Sequence, residues 1–344
     1  GKPGLPWEIK HMKSTADNGM MDFTRTHSPW TVISVRLGAV RPEGYHRPLV
    51  PFDLTSLGLP KYMKDVADYQ VFPQFQPEGY TAIGDAGYTF IGNRNGSWQV
   101  LPSLTRFSGA HALRIGGEYR RNYLDYNQSA FPGGSFSFSR QITREDLVLG
   151  SDVQGSGLAA MLIGWGSGSR FDHRPWTYNR NEYYAGYVQD DWKIRRRLTL
   201  NFGLRYEIER PHWETQYRES YWNLDDPSPL QGKVSGFDLR GFFRFCDEKT
   251  PSPYNGDHSN WQPRVGLAFA LDSKTSVRAG YGTFFTLSRA STVGTLGSGF
   301  TSISSVTWTL DSQATRYATL ANPYPDGLTL PPGRSEGAMT FVGL

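Results

Sequence analysis

The sequence predicts an all-β fold, namely a partial transmembrane antiparallel β-barrel with long extracellular loops and short periplasmic turns. Its composition of 38 Gly, 22 Pro and 14% aromatic residues favours strands and turns over long helices. Apolar and polar residues alternate in several segments, and very short connections between these segments are interspersed with very long ones. Both features are typical of transmembrane barrels.

Hydropathy excludes a helical membrane protein but not a barrel. Mean hydropathy is −0.51, and no stretch approaches the roughly 18 consecutive apolar residues of a membrane helix. Barrel strands need only about 10 residues each and are apolar on one face. A low mean hydropathy is therefore compatible with a barrel.

The clearest strand is the segment 198–208, where apolar and polar residues alternate with a period of two. Its apolar residues are Leu198, Leu200, Phe202, Leu204, Tyr206 and Ile208. A tilted strand of this length can cross a bilayer with one face in lipid and the other in water. A sandwich strand with one buried face has the same pattern, so this segment alone leaves both interpretations open. The alternation returns at 33–39, 113–119, 265–271 and 277–285.

The connections decide between these two interpretations. Short ones lie near Ser28-Pro29, Ser108-Gly109-Ala110, Arg195-Arg196-Arg197 and Asp272-Ser273-Lys274. Long ones cover roughly 42–96, 124–180 and 211–260. Compact soluble domains seldom carry several loops longer than about 15 residues, whereas outer-membrane barrels have tight turns at one end and long loops at the other. The spacing favours the barrel.

Several other classes receive no support. The formal net charge is only +4, so we expect no nucleic-acid partner. The single cysteine, Cys246, excludes an internal disulfide framework. The sequence contains no G-x-S-x-G, H-E-x-x-H or P-loop motif, and its histidines lack ligand spacing. We expect no catalytic residue, no cofactor and no metal.

Three ordered stretches resemble one known family. They are SGAHALRIGGEYRRN at 108–122, NRNEYYAGYVQDDWKIRRRLTLNFGLRYE at 179–207, and NWQPRVGLAFALDSKTSVRAGYGTFF at 260–285. The chain resembles the Oar-like TonB-dependent outer-membrane receptors, a family of carboxypeptidase-regulatory-like domain-containing proteins. That resemblance implies a plugged barrel in the bacterial outer membrane that takes up a large ligand with energy from the TonB complex.

About eight strands are expected in 344 residues, whereas transporters of the implied type close with about 22. An open barrel would expose unpaired strand edges to lipid. We therefore expect residues 1–344 to be one partial β-barrel domain, with the plug and the N-terminal domain absent. Its partners would be outer-membrane lipid, an unknown extracellular ligand, and the TonB complex through the missing part.

The candidate substrate-binding residues are the charged residues at the polar positions of the alternating strands, because the polar face lines the lumen of a barrel. They are Arg114, Glu118, Arg120, Arg205, Glu207 and Arg278. In a complete transporter they would contact the plug or the passing ligand. The simpler interpretation is that they pair with one another and with water.

Two other functions remain open at this point. A passive porin or adhesin barrel would lack the plug and the TonB box. A soluble all-β carbohydrate-binding domain would stack sugars on aromatic side chains of its loops, namely Trp213, Tyr217, Tyr221 and Trp222.

The requirement that the apolar faces of paired strands coincide also predicts the register of two hairpins. A turn at Asp272-Ser273-Lys274 pairs Leu271 with Thr275, Phe269 with Val277, Leu267 with Ala279, and Val265 with Tyr281. A turn at Arg195-Arg196-Arg197 pairs Ile194 with Leu198, Trp192 with Leu200, and Asp190 with Phe202. Asp190 would then lie on the lipid face, so we expect a bulge at Gln189–Asp191 that turns it inward.

We predict that single cysteines placed at 198–208 in the full-length protein, with Cys246→Ser as background, will respond with a period of two. Spin labels at even positions should be quenched by a lipid-confined reagent, and labels at odd positions by a water-soluble one. A different period or the opposite parity would refute the strand assignment.

Overall fold

The computed structural model describes residues 10–48, 51–146, 154–286, 296–311 and 314–341. Its main element is a nine-stranded sheet, in which eight strands lie side by side in chain order and the short strand Trp213–Glu214 pairs off this path. The eight strands are β1 (Lys10–Ser28), β2 (Thr31–Pro48), β3 (Ile91–Ser108), β4 (His111–Gln128), β5 (Thr177–Arg195), β6 (Leu198–Glu209), β7 (Trp261–Ala270) and β8 (Ser276–Gly282). No helix among the described residues is long and apolar enough to span a membrane.

Strands that are neighbours in the series β1 to β8 pair antiparallel with one another. Short turns join β1 to β2, β3 to β4, β5 to β6 and β7 to β8 at one end of the sheet, here called the turn end. The long connections all leave from the opposite end, here called the loop end. The predicted antiparallel fold and the alternation of short and long connections are confirmed.

The strands extend further toward the loop end than predicted. Strand β2 continues to Pro48, β3 begins at Ile91, β4 ends at Gln128 and β5 begins at Thr177. At about 3.3 Å per residue, a strand of 18 residues spans about 60 Å, more than twice the apolar band of a barrel. The predicted loop bounds were wrong because the outer parts of the strands lack apolar alternation and carry polar cross-strand pairs instead, such as Arg94 with Glu43 and Arg180 with Asp125.

The predicted hairpin of β7 and β8 is confirmed, with Phe269 opposite Val277 and Val265 opposite Tyr281. In the hairpin of β5 and β6, Trp192 lies opposite Leu200 and Asp190 opposite Phe202, also as predicted. Near the turn, however, the prediction was wrong: Leu198 pairs with Arg195 rather than with Ile194.

The expected bulge at Gln189–Asp191 was also wrong. Pairing is continuous there, and the register shifts between Lys193 and Arg195 instead. Asp190 stays on the apolar face, where its Oδ2 lies 2.6 Å from His111 Nδ1. The cost of a carboxylate on this face is reduced by that partner and by its position near the turn end, so no inward bulge is required.

The register places apolar side chains of successive strands in rows on one face of the sheet. In one row Ile33, Leu104, Ile115, Val188 and Leu204 are direct cross-strand neighbours from β2 to β6. Each of these side chains is between 37% and 45% exposed. A row of exposed aliphatic side chains is a surface suited to lipid rather than to water.

Strands β1 and β8 form the two edges of the sheet. Among the described residues, β1 pairs only with β2 and β8 pairs only with β7. In the described part of the chain the sheet is therefore an open arc.

The long connections fold together at the loop end into what we call the loop cap, made of the described parts of 51–90, 129–176 and 296–341. It contains helix α1 (Lys61–Val66), helix α2 (Gly157–Leu162) and three 3-10 helices at Leu54–Leu57, Arg140–Thr143 and Gly337–Phe341. A four-stranded sheet joins its segments in the order Ser302–Ser304, Gly168–His173, Ser135–Phe138 and Gln74–Pro77. The last two strands are parallel, and the other pairs are antiparallel.

The loop cap has a hydrophobic core of its own. Met63, Phe136 and Leu54 are fully buried in it, together with Trp308 and Tyr324 from the segment that follows β8. The Tyr62 hydroxyl also donates to the Tyr324 carbonyl at 3.2 Å. Residues more than 200 positions apart therefore hold the cap together.

The connection between β6 and β7 forms a hairpin that the loop cap contacts, since Arg334 Nη2 donates to the Tyr217 and Cys246 carbonyls at 2.7 and 3.0 Å. Strand Trp213–Glu214 first pairs with β5, and strand Ser220–Pro227 then pairs with Arg240–Phe245. Cys246 follows this hairpin and is 0% exposed, and burial raises the pKa of its thiol to about 12. The thiol is therefore protonated and shielded at neutral pH.

We predict that Phe136→Ala will destabilise the loop cap of the full-length protein by about 3–5 kcal/mol, because it leaves a cavity in the cap core. Hydrogen exchange measured by mass spectrometry in detergent micelles should show faster exchange in the cap. Leu57→Ala is the control, because Leu57 is 43% exposed. Similar effects of the two substitutions would contradict the cap core.

Candidate functional site: the polar face of the sheet

The candidate site is the face of the sheet opposite the apolar rows. One row of this face runs through Ser34, Ser103, Gly116, Tyr187 and Arg205, which are direct cross-strand neighbours from β2 to β6. The hydroxyl oxygens of Ser34 and Ser103 are 2.7 Å apart. Alternation along each strand places all these side chains on one side of the sheet.

Arg205 is the centre of a charged network on this face. Its guanidinium donates to Glu207 Oε1 at 2.5 Å, to Glu118 Oε2 at 3.0 Å and to the Tyr183 hydroxyl at 2.8 Å. Arg120 donates to the other oxygen of Glu118 at 2.5 Å. Four of the six predicted residues thus form one network, and their charges are balanced within it.

Small residues on β4 and β5 leave space on the polar face for the long side chains. Glu118 on β4 and Glu207 on β6 both lie opposite Ala185 of β5, so the ion pair of Arg205 with Glu118 crosses a whole strand. Tyr187 lies over Gly116 in the same way, because a Cβ at Gly116 would be 2.5 Å from the tyrosine hydroxyl. The sheet can therefore hold long side chains flat along its polar face.

Tyr183 is a member of the network that the sequence analysis missed. It is 3% exposed, and the Arg120 guanidinium carbon lies 5.0 Å from the centre of its ring. The sequence could have indicated Tyr183, because it lies an even number of residues from Tyr187 on β5 and therefore on the same polar face. The prediction considered only charged residues and therefore omitted it.

The other two predicted residues lie apart from the network. Arg114 borders a hollow of about 210 Å³ with Gln189, Arg205 and Arg264, toward the turn end. Arg278 lies opposite Ala268 on the edge strand β8 and is exposed. Within the described ranges, Arg278 forms no hydrogen bond or ion pair.

A second cavity, of about 360 Å³, opens on the same face at the loop end. It is bordered by Tyr183 and Glu207 of the network and by His212, Tyr254 and Asn260 of the connection between β6 and β7. The polar face therefore continues from the turn end to this cavity. In the described part of the chain, no group of three His, Cys, Asp or Glu side chains could hold a metal ion.

Glu214 fixes the connection between β6 and β7 to the loop end of the sheet. Its side chain is fully buried, and it accepts hydrogen bonds from the backbone N–H groups of Tyr178, Gln216 and Arg218 at 3.2, 2.8 and 3.1 Å. Arg218 Nη2 adds an ion pair at 2.8 Å. No sequence pattern marks Glu214, since its partners are assembled only when the loop folds back on β5.

An open antiparallel sheet with lipid-suited rows on one face and a charged network on the other defines a wall of a transmembrane β-barrel. A family model described as the outer membrane beta barrel domain matches residues 8–343. The chain belongs to this family and is located in the bacterial outer membrane. In outer-membrane barrels the long loops are typically extracellular and the short turns periplasmic.

Among solved structures, the chain is similar to the ferric-catecholate import receptor Fiu of E. coli K12 in its closed form, with 12% identity and a TM-score of 0.38. The match covers 88% of this chain and 39% of the receptor. The chain therefore spans less than half the length of that protein. None of the curated proteins compared with the chain is significantly similar to it.

We predict that Arg205→Ala in the full-length protein will lower the free energy of unfolding by about 3 kcal/mol or more, because it leaves Glu207 buried without its cation. Urea titration in detergent micelles measures the change. Arg278→Ala is the matched control and should change stability by no more than about 0.5 kcal/mol. Equal losses for the two variants would show that the network does not stabilise the sheet.

Proposed function

We propose that the chain is the barrel portion of an Oar-like TonB-dependent receptor, which binds and imports a large ligand without an enzymatic step. The observation that carries this proposal is the open arc that the described residues form: eight successive strands whose two outer edges are unpaired there, with a polar face that needs an aqueous lumen. Eight strands alone close into a barrel filled by side chains, whereas about 22 strands enclose a plugged lumen. The unpaired edges favour the larger barrel.

The resemblance to the Oar-like receptors supports the same proposal. Its longest stretch, at 179–207, covers nearly all of β5 and most of β6, which carry Tyr183, Arg205 and Glu207. These side chains lie on the face that would meet a plug or a passing ligand. The plug and the contact with the TonB complex would come from parts of the protein outside this chain.

The loop cap supports a role in ligand capture. Its segments are fixed by a buried core and a four-stranded sheet, so its outer surface is preorganised. A rigid surface loses less entropy on binding than mobile loops do. We propose that the cap is where the extracellular ligand first binds.

We predict that an epitope tag after Gly232, in the exposed part of the hairpin connection, will be reached by antibody on intact cells. A tag after Ser273, in a short turn, should be reached only after the outer membrane is permeabilised. Detection of the Ser273 tag on intact cells, without the Gly232 tag, would reverse the proposed orientation.

The test of the proposed function is a liposome-swelling assay with the full-length protein. A plugged receptor should give no swelling in arabinose or raffinose, whereas a passive porin lets both sugars enter. In the same preparation, the purified periplasmic domain of TonB should bind. Rapid swelling together with absence of TonB binding would show that the protein is a passive barrel and not a TonB-dependent receptor.

A further inference from the structure

The loop cap contains a cavity of about 430 Å³ that lies apart from the polar face of the sheet. It forms where strand Gly168–His173 pairs with Ser302–Ser304, and the segment 329–332 closes one side. Three sequence-distant parts of the chain therefore build its wall.

One positive charge on this wall is not balanced. Arg170 is neutralised by Asp172, with Nε 2.6 Å from Oδ1. His173 Nδ1 lies 3.1 Å from Asp68 Oδ1, and this hydrogen-bonded carboxylate raises the pKa of the imidazole above its usual value. Arg174 borders the cavity beside them, and its guanidinium forms no hydrogen bond or ion pair within the described residues.

A second polar group on the wall also lacks a partner. The Ser302 hydroxyl oxygen is buried and has no hydrogen bond within the part of the chain that the structure describes. Ser302 is the cross-strand neighbour of His173. Because that oxygen has no accessible surface, a ligand in the cavity does not reach it, and Arg174, which is half-buried, is the unpaired polar side chain open to a ligand.

The remaining wall is apolar. Ile303 and Leu330 border the cavity and are 52% and 54% exposed. Their exposure contrasts with the cap core, where Phe136 and Phe171 are 0% and 1% exposed. Covering these two side chains with an apolar group would remove their surface from water and stabilise a complex.

We propose that this cavity binds an anionic ligand with an apolar body, whose carboxylate or phosphate meets the Arg174 guanidinium. Arginine suits such a group because its fork of N–H donors matches two oxygens at once. The apolar body lies against Ile303 and Leu330. Identifying this molecule with the imported ligand rests on the proposed receptor function, but the binding itself needs no transport.

The experiment is isothermal titration of the full-length protein in phosphatidylcholine nanodiscs with 2-naphthoate, 2-naphthyl phosphate and the neutral 2-naphthamide. The anionic probes should bind about tenfold or more tightly than the amide, because charged hydrogen bonds contribute the difference. The stronger anion identifies the preferred head group. Equal affinity of naphthoate, naphthyl phosphate and naphthamide, or no binding by either anion, would overturn the proposal.

Substitutions in the full-length protein test whether the three probes bind in this cavity. Arg174→Ala should remove the preference for anions, and Ile303→Ser should weaken all three probes by about fivefold. Lys61→Ala is the control, because Lys61 is an exposed cation elsewhere in the cap. Unchanged resistance to proteinase K shows that each variant is folded, and undiminished anion binding by folded Arg174→Ala would disprove the site.

These results are independent of the test of the proposed function. Swelling of liposomes would contradict import without changing the affinities of the probes. Failure of the probes to bind would leave the receptor function standing.

Discussion

The structure depends on the backbone pairing of one antiparallel sheet. A bilayer offers no water to satisfy N–H and C=O groups, so strands that cross it must pair with neighbours along their whole length. Because side chains alternate, the register of this pairing decides both faces at once. The row from Ile33 to Leu204 faces lipid, and the row from Ser34 to Arg205 faces the lumen side. A shift by one residue would put Arg205 in hydrocarbon.

The polar face owes its organisation to small residues as much as to charged ones. Ordinary cross-strand pairs join adjacent strands, whereas Arg205 reaches Glu118 two strands away, over Ala185. The result is a balanced network with buried carboxylates. Such a wall is polar without a large net charge, which suits a surface that faces an aqueous lumen.

The hydrophobic core of this protein lies outside the membrane-spanning sheet. Apolar side chains of the sheet face lipid, while those of the loop cap, such as Phe136 and Met63, are buried against one another. The two regions are thus stabilised by different environments. Because the cap is packed, its Arg174 cavity has a defined shape, which loops without a core could not provide.

The sequence by itself determined the apolar-alternating parts of β2, β4, β6, β7 and β8, the faces of these parts and the register of the hairpin at Asp272–Lys274. These follow from alternation, which is local and visible over about ten residues. Only the tertiary structure decided the cap core, the clamp at Glu214, the shift at Lys193–Arg195 and the pairing of Asp190 with His111. Most of these depend on contacts between residues far apart in the chain, as between Gln74–Pro77 and Ser135–Phe138. Such contacts leave no periodic signal, because their geometry exists only after the sheet has brought the long connections together.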